Sequence, residues 1–396
     1  MDRQELLRRA EEHMFSTGLD DSGARLGLAN MRYGLAKIQW VQEMTGLPPN
    51  GTFVAAPDLS VTRNKNRWRS GFGYGGKLTW GDGDQEFMVL DVKPNCCGML
   101  VGGLDILASS ESVLRNVQAL KKENVLIEGV PIVWDFGISN HFISVFRVEP
   151  LAADPLPPYV FIMHCSGGEL RSQTSLGDGL YWDESEALQE KAEVFETPFG
   201  PLRVLLGSQA VAYYAFYKQA EAFAKKRRCL AAERLFGNYR LISNDSHQGL
   251  LNMNEMVLGA YPIQDAERAL PLTLRADLPA YLIRGKPNLN PQTIEALGLH
   301  ERARRWGVYE RLRSANIVPH GGGYMFPHVR EVLSVNDADG ERLFQVSLAS
   351  GHGRQFLSDV RGLTYAYRGH EVVSRVLELG MGESLARLHV LYTLKV

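Results

Sequence analysis

The chain has 396 residues, 45% of them hydrophobic and 22% charged, with a formal net charge of -2. That length suffices for one large core or for two or three domains, and the near-neutral balance excludes a polycation built to coat nucleic acid or an anionic membrane, so any such surface must be a local patch. Four cysteines, two of them adjacent, make no disulfide framework, and the charged opening lacks the apolar segment of a secretory signal, so a soluble protein of the reducing cytoplasm is expected.

In chain order, residues 1–50 read as an N-terminal helical segment. Leu6, Leu7, Leu26, Leu28, Leu35, Ile38 and Val41 recur at helical spacing until Pro48-Pro49-Asn50-Gly51 breaks the pattern. Residues 52–105 read as short strands and Gly-rich loops, and 111–125 as an amphipathic helix. Residues 131–137, 141–148 and 159–165 are strand-like, and 183–196 is charged and helical. The longest helix is expected over 208–237, closing on Gly237, followed by a strand over 238–245 that runs into a turn. Residues 291–316 are helical, 342–350 a strand, 369–380 a helix closed by Gly380, and 385–396 a final strand. Helices and strands mix without a regular βαβ cycle, which predicts an α+β fold, a mixed β-sheet core with surrounding helices.

Four histidines stand at the ends of apolar runs beside small or amide residues: His141 after Asn140, His164, His247 before Gln248, and His320. Imidazole and thiolate are the side chains that hold Mn, Zn or Fe at neutral pH, so these histidines and Cys97 are candidate ligands of one site. Each has a bland reading as well. Cys96-Cys97 can be two small buried hydrophobes, His141 a satisfied structural histidine, and Gly321-Gly322-Gly323 a plain loop rather than a set of N–H groups close to an anion. Arg63, Lys65, Arg67 and Arg69 alternate around Trp68, which in an extended segment would put four cations on one face for phosphates. A solvated face explains them equally. Lys225–Arg228 ends the long helix and reads as structural. A Cys165–His164 dyad is disfavoured, since neighbours on a strand point to opposite faces.

Taken in order, Cys97-Gly98, Asn140-His141-Phe142, His164-Cys165-Ser166-Gly167, Ser246-His247-Gln248 and His320-Gly321-Gly322-Gly323 resemble the motifs of the RtcB family of RNA-splicing ligases, as do Pro57-Asp58 and the C-terminal Ala366-Tyr367-Arg368, Glu371-Val372-Val373, Ala386-Arg387-Leu388 and Lys395. The likeness spans residues 52–396, which are expected to form an RtcB-like catalytic domain over 51–396. It implies an enzyme that uses Mn2+ (one or two ions) and GTP to join an RNA 3′-phosphate or 2′,3′-cyclic phosphate end to a 5′-hydroxyl end through a histidine–GMP intermediate, in tRNA splicing or RNA repair. By the resemblance His320 is the nucleophile, and Cys97, His141, His164 and His247 hold metal. By the same resemblance Asn140 contacts phosphate and Lys395 the guanylate, while the residues' own chemistry makes Gly321, Gly322 and Gly323 candidate nucleotide contacts and Arg63, Lys65, Arg67 and Arg69 candidate RNA contacts. A helper protein of the archease type and a monomeric state are further expectations, with no membrane partner.

The chain departs from the family pattern at Pro94, Ser144, Tyr324 and Gln248, where the family has Asp, Glu, Arg and Asn. Asp91 is a possible substitute carboxylate, and His352, followed closely by Arg354, is a rival to His320. These departures keep two alternatives open: a metal-dependent phosphoesterase or nucleotidyltransferase on the same scaffold, and a non-catalytic RNA-end-binding paralogue.

Overall fold

A computed structural model describes residues 2–338 and 341–396. Its centre is one eleven-stranded sheet. The strands along the chain are β1 (Met14–Ser16), β2 (Thr52–Ser60), β3 (Tyr74–Thr79), β4 (Cys97–Leu104), β5 (Phe142–Pro150), β6 (Tyr159–Cys165), β7 (Arg240–Asn252), β8 (Glu255–Leu258), β9 (Ala269–Leu272), β10 (Ala280–Gly285) and β11 (Gly382–Leu394). They pair in the order β1-β2-β3-β8-β7-β4-β6-β5-β11-β10-β9. β1 and β2 are parallel, and every other pair is antiparallel. The expectation of an α+β fold with a mixed β-sheet core holds.

The ten helices are α1 (Arg3–Glu12), α2 (Ser22–Met44), α3 (Lys65–Arg69), α4 (Ser110–Leu120), α5 (Glu186–Lys191), α6 (Ser208–Phe236), α7 (Pro291–Ala296), α8 (His300–Arg305), α9 (Tyr309–Arg313) and α10 (Glu371–Glu378), counted among the described residues. They cover both faces of the sheet. On β2, Phe53 and Ala55 join the core that α1, α2 and α6 share, while Val54 and Ala56 join the core under α7 to α10. On β4, Leu100 faces α4 and α6, and Met99 and Val101 face the opposite side. Burial on both faces explains why these strands read as continuous apolar runs rather than alternating ones.

The first fifty residues are not a separate unit. α1 begins at a capping box made by Asp2 and Glu5. The chain then adds β1 to the sheet edge, with Met14, Phe15 and Ser16 opposite Phe53, Val54 and Ala55. α2 presents Gly23, Gly27 and Gly34 to the backbone of later segments: a Cβ on Gly23 would lie 1.8 Å from the Tyr324 carbonyl oxygen. Glycine is needed there because two backbones touch.

Other expectations need correction. Of residues 131–137 only Pro131 is paired, in the two-residue strand Val130–Pro131, and Asp135 lies in a loop. The charged stretch 183–196 is helical only over α5 and then becomes the strand Glu193–Thr197. β7 runs on through Asn252, so His247 lies inside a strand and not after it.

Candidate active site

Strand register assembles the site. Gln248 on β7 lies opposite Cys97 on β4, Met99 on β4 opposite His164 on β6, and His164 opposite Phe142 on β5. Residues far apart in sequence therefore meet across neighbouring strands. The pairing of β7 with β4 shifts between Ser246 and Gln248, and His247 sits in that bulge. A bulge re-aims a side chain locally, here one that regular alternation would place otherwise. Cys96, just before Cys97, and Ser139, just before Asn140-His141, take left-handed backbone angles (φ 54° and 60°) that non-glycine residues rarely adopt. Gly98 is required, since a Cβ there would lie 2.4 Å from the Asp245 carbonyl oxygen.

Cys97 Sγ lies 3.5 Å from His141 Nε2 and 3.1 Å from His164 Nε2. These three ligand atoms fall within 4.8 Å of one another, and all three residues are buried. A tetrahedral ion with ordinary metal–sulfur and metal–nitrogen bonds holds its sulfur and nitrogen ligands about 3.5 Å apart, so the group can accept one. His247 stands beside it, its ring 5.0 Å from that of His164, with both ring nitrogens buried and unpartnered. A buried imidazole without partners fits a fourth ligand position. Burial alone would push the Cys97 thiol up, but the imidazoles of His164, His247 and His141 outweigh it and hold it well below the ordinary thiol range. Burial likewise pulls the His247 imidazole down, to about 3, leaving it neutral.

The ligands are held from behind. The Asn140 backbone carbonyl lies 3.2 Å from His164 Nδ1, which turns Nε2 toward Cys97. Asp135 Oδ2 lies 2.8 Å from His141 Nδ1. The same carboxylate accepts from the Ser166 hydroxyl at 3.1 Å and, through Oδ1, from Arg227 at 2.8 Å. Arg227 is fully buried and also reaches Glu169. Lys225–Arg228 does not end the long helix, which runs to Phe236; Arg227 lies inside it and anchors the site. Such outer partners set ligand orientation and basicity, so Asp135→Asn is expected to weaken binding of a divalent ion roughly 10- to 100-fold in a competition titration, with the fold intact by circular dichroism. Asp135 was not legible as a site residue: its only sequence signal is that it lies in the same short loop as His141.

His320 Nδ1 lies 2.9 Å from Asp58 Oδ2, which also accepts from the backbone N–H of His320 at 3.2 Å. This contact fixes the proton on Nδ1 and leaves the Nε2 lone pair available. The His320 ring stands 4.3 Å from His247 and edge-on to Tyr74 at 5.7 Å. The glycines that follow serve close packing. A Cβ on Gly322 would lie 2.5 Å from the Arg368 carbonyl oxygen, and one on Gly323 2.3 Å from that of Asp58. The N–H groups of Gly321 and Gly322 already donate to Asp58 and Thr273, so those two are not an open anion cradle.

Arg368 ties this loop down. Buried, it donates to the carbonyls of Leu59 at 2.8 Å and Gly322 at 3.1 Å and pairs with Asp21 at the start of α2. Arg368→Met leaves those acceptors and Asp21 without their cation and is expected to destabilise the protein by about 3–5 kcal/mol in urea denaturation.

Two clefts meet at this cluster. One, of about 940 Å³, is lined by Asn140, His164, His320, Gly321–Gly323, Tyr367 and Lys395 together with apolar residues such as Phe142 and Phe146. The other, of about 1410 Å³, is lined by Arg63, Asn95, Cys97, Asp135, His141 and Arg171 among others. Tyr74, Asn140 and Tyr324 line both. The proposed nucleotide contacts Asn140 and Lys395 thus share a cleft with His320.

The four basic residues part company. Lys65 begins α3, so the segment is not extended and the charges do not share a face. Arg67 is buried, donating to the carbonyls of Val92 at 2.8 Å and Lys93 at 2.6 Å, and Trp68 is buried against Phe344. Lys65 and Arg69 are exposed outside both clefts, and only Arg63 remains at the site with its charge available. Asp91 is buried away from the ligands, bonded to Ser70 and the Arg203 amide, and does not replace the missing carboxylate. His352 is exposed on the turn before the strand Arg354–Leu357 and lines neither cleft. Cys165, across the strand from His164, is buried in the core with its thiol pushed up to about 12 by burial.

No protein-family model matches this chain, and no curated protein matches it. No helix among the described residues is long and apolar enough to cross a membrane.

Proposed function

We propose that the protein is a divalent-metal-dependent nucleotidyltransferase acting on RNA ends, a ligase that joins a 3′-phosphate or 2′,3′-cyclic phosphate end to a 5′-hydroxyl end through GMP carried on His320. The observation that carries the reading is His320. Asp58 holds it at Nδ1, on a cleft that His164 of the buried Cys97–His141–His164 group also lines. GTP as donor and Mn2+ as the ion come from the resemblance to the RtcB family. Bound there, a divalent ion supplies neutralisation of phosphate charge during in-line displacement.

The chain's own groups do the rest. Neutral imidazole attacks the α-phosphorus through Nε2, a nitrogen–phosphorus bond forms, and the bond to pyrophosphate breaks. Asp58 stabilises the positive charge that develops on the ring. A 2′,3′-cyclic end is first opened by water to the 3′-phosphate; a 3′-phosphate oxygen then attacks the GMP phosphorus, the bond to His320 Nε2 breaks, and a phosphoanhydride forms. The 5′-hydroxyl then attacks the RNA phosphorus and expels GMP. Lys395 and Asn140 line the cleft where the nucleotide phosphates would lie.

One observation favours a second reading. Among the described residues only one cluster of three metal ligands is present, and Ser144 and Tyr324 stand at the cleft in place of a carboxylate and an arginine. A single ion suits a phosphoesterase that opens a 2′,3′-cyclic end without joining it. Incubation with Mn2+, GTP and two RNA fragments bearing the matching ends decides: a joined product supports the ligase, and ring opening alone supports the esterase.

A further inference from the structure

Three tyrosines cluster beside the clefts: Tyr324 lines both, Tyr367 lines one, and Tyr365 packs against them outside the lining. Tyr324 lies 4.9 Å from Tyr365 and 5.1 Å from Tyr367, and Tyr365 lies 5.7 Å from Tyr367. Arg63 places its guanidinium 4.5 Å above the Tyr365 ring. Tyr365 is 37% exposed, Arg63 is exposed, and Tyr324 lines both clefts.

The charge around the group is also open. Arg63 and Arg171 line the same cleft, and neither has a carboxylate partner among the described residues. The carboxylates of that cleft, Asp135 and Glu169, are both taken by Arg227. The cleft therefore offers positive charge beside exposed π surface, next to the candidate metal group. Unpaired nucleobases stack on aromatic rings and on guanidinium planes, while arginines take the adjoining phosphates.

We infer that Arg63 and Tyr365, backed by Tyr324 and Tyr367, form a stacking platform for an unpaired base of a single-stranded RNA end, with Arg171 meeting a neighbouring phosphate. This inference rests on the RNA-end reading and names the part of the chain that grips the strand. It also gives a role to Tyr324, which stands where the resembled family has an arginine.

The test is equilibrium binding of a short single-stranded RNA with a 3′-phosphate, followed by fluorescence anisotropy on the full chain without GTP. Tyr365→Ala is expected to weaken binding about tenfold, and Tyr365→Phe to stay within about twofold, since the ring and not the hydroxyl carries the stack. An RNA whose terminal nucleotides lack bases should bind the native protein about as weakly as the intact strand binds Tyr365→Ala. Equal affinity of Tyr365→Ala and the native protein, or no RNA binding by the native protein, overturns the platform. Labelling of the native protein by GTP, measured separately, tests the ligase reading, so the two failures are told apart.

Discussion

His320→Ala is expected to abolish covalent labelling of the protein by α-labelled GTP and Mn2+, a loss of at least about a thousandfold. Asp58 holds the ring at Nδ1, and the residue lines the cleft that Asn140 and Lys395 also line. The adduct should be lost on acid treatment and survive alkali, as a nitrogen–phosphorus bond does. Asp58→Asn keeps the shape but removes the charge that opposes the imidazolium, and a smaller loss, on the order of 10- to 100-fold, is expected. Full labelling of His320→Ala by mass spectrometry would move the nucleophile elsewhere and end the proposed sequence of steps.

Cys97→Ala should remove the bound ion altogether. The thiolate is the one anionic ligand in the buried group, and without it the ion would be left with the imidazoles of His141, His164 and His247 and no charge to oppose its own. Elemental analysis of the dialysed variant should find no divalent metal where the native protein retains it. Stoichiometric metal in Cys97→Ala would refute the assignment.

The same group fixes a pH dependence. In the metal-free protein, burial would lower the His141 imidazole, but the Cys97 thiolate and Asp135 outweigh it and raise it to about 10. An ion must displace that proton. Affinity should therefore climb about tenfold per pH unit below pH 10 and level off above it. The sign follows because the proton competes with the metal for one nitrogen. Titrations between pH 6 and 8, where metal hydroxides stay soluble, suffice to read the slope.

The ligand residues were legible because chemistry singles them out: few side chains bind metals, and His141, His164 and Cys97 sit at strand ends where polar groups stand out against apolar runs. His247 was legible as a residue but not in its setting, because a bulge leaves no mark in the hydrophobic pattern. The partners behind the ligands were hidden. Asp135 and Arg227 are ordinary charges in sequence, and their meaning arises only when α6 crosses behind β6. The alternation of Arg63 to Arg69 suggested an extended face, yet Asn64 caps a helix there by accepting from the Arg67 amide. Capping overrode the period of two. The short strand β1 was invisible, since three residues carry no periodicity and their partner, β2, is read only after forty more.

The place of β11 has a bearing on how the molecule is made. This strand, ending at Leu394, lies between β5 and β10 and is the one link joining β10 and β9 to the rest of the sheet. Arg368, also late in the chain, fastens the His320 loop to α2. A nascent polypeptide on the ribosome can therefore pair its earlier strands during synthesis, but β9 and β10 join the sheet only once β11 has emerged, and the His320 loop is fastened only once residue 368 has.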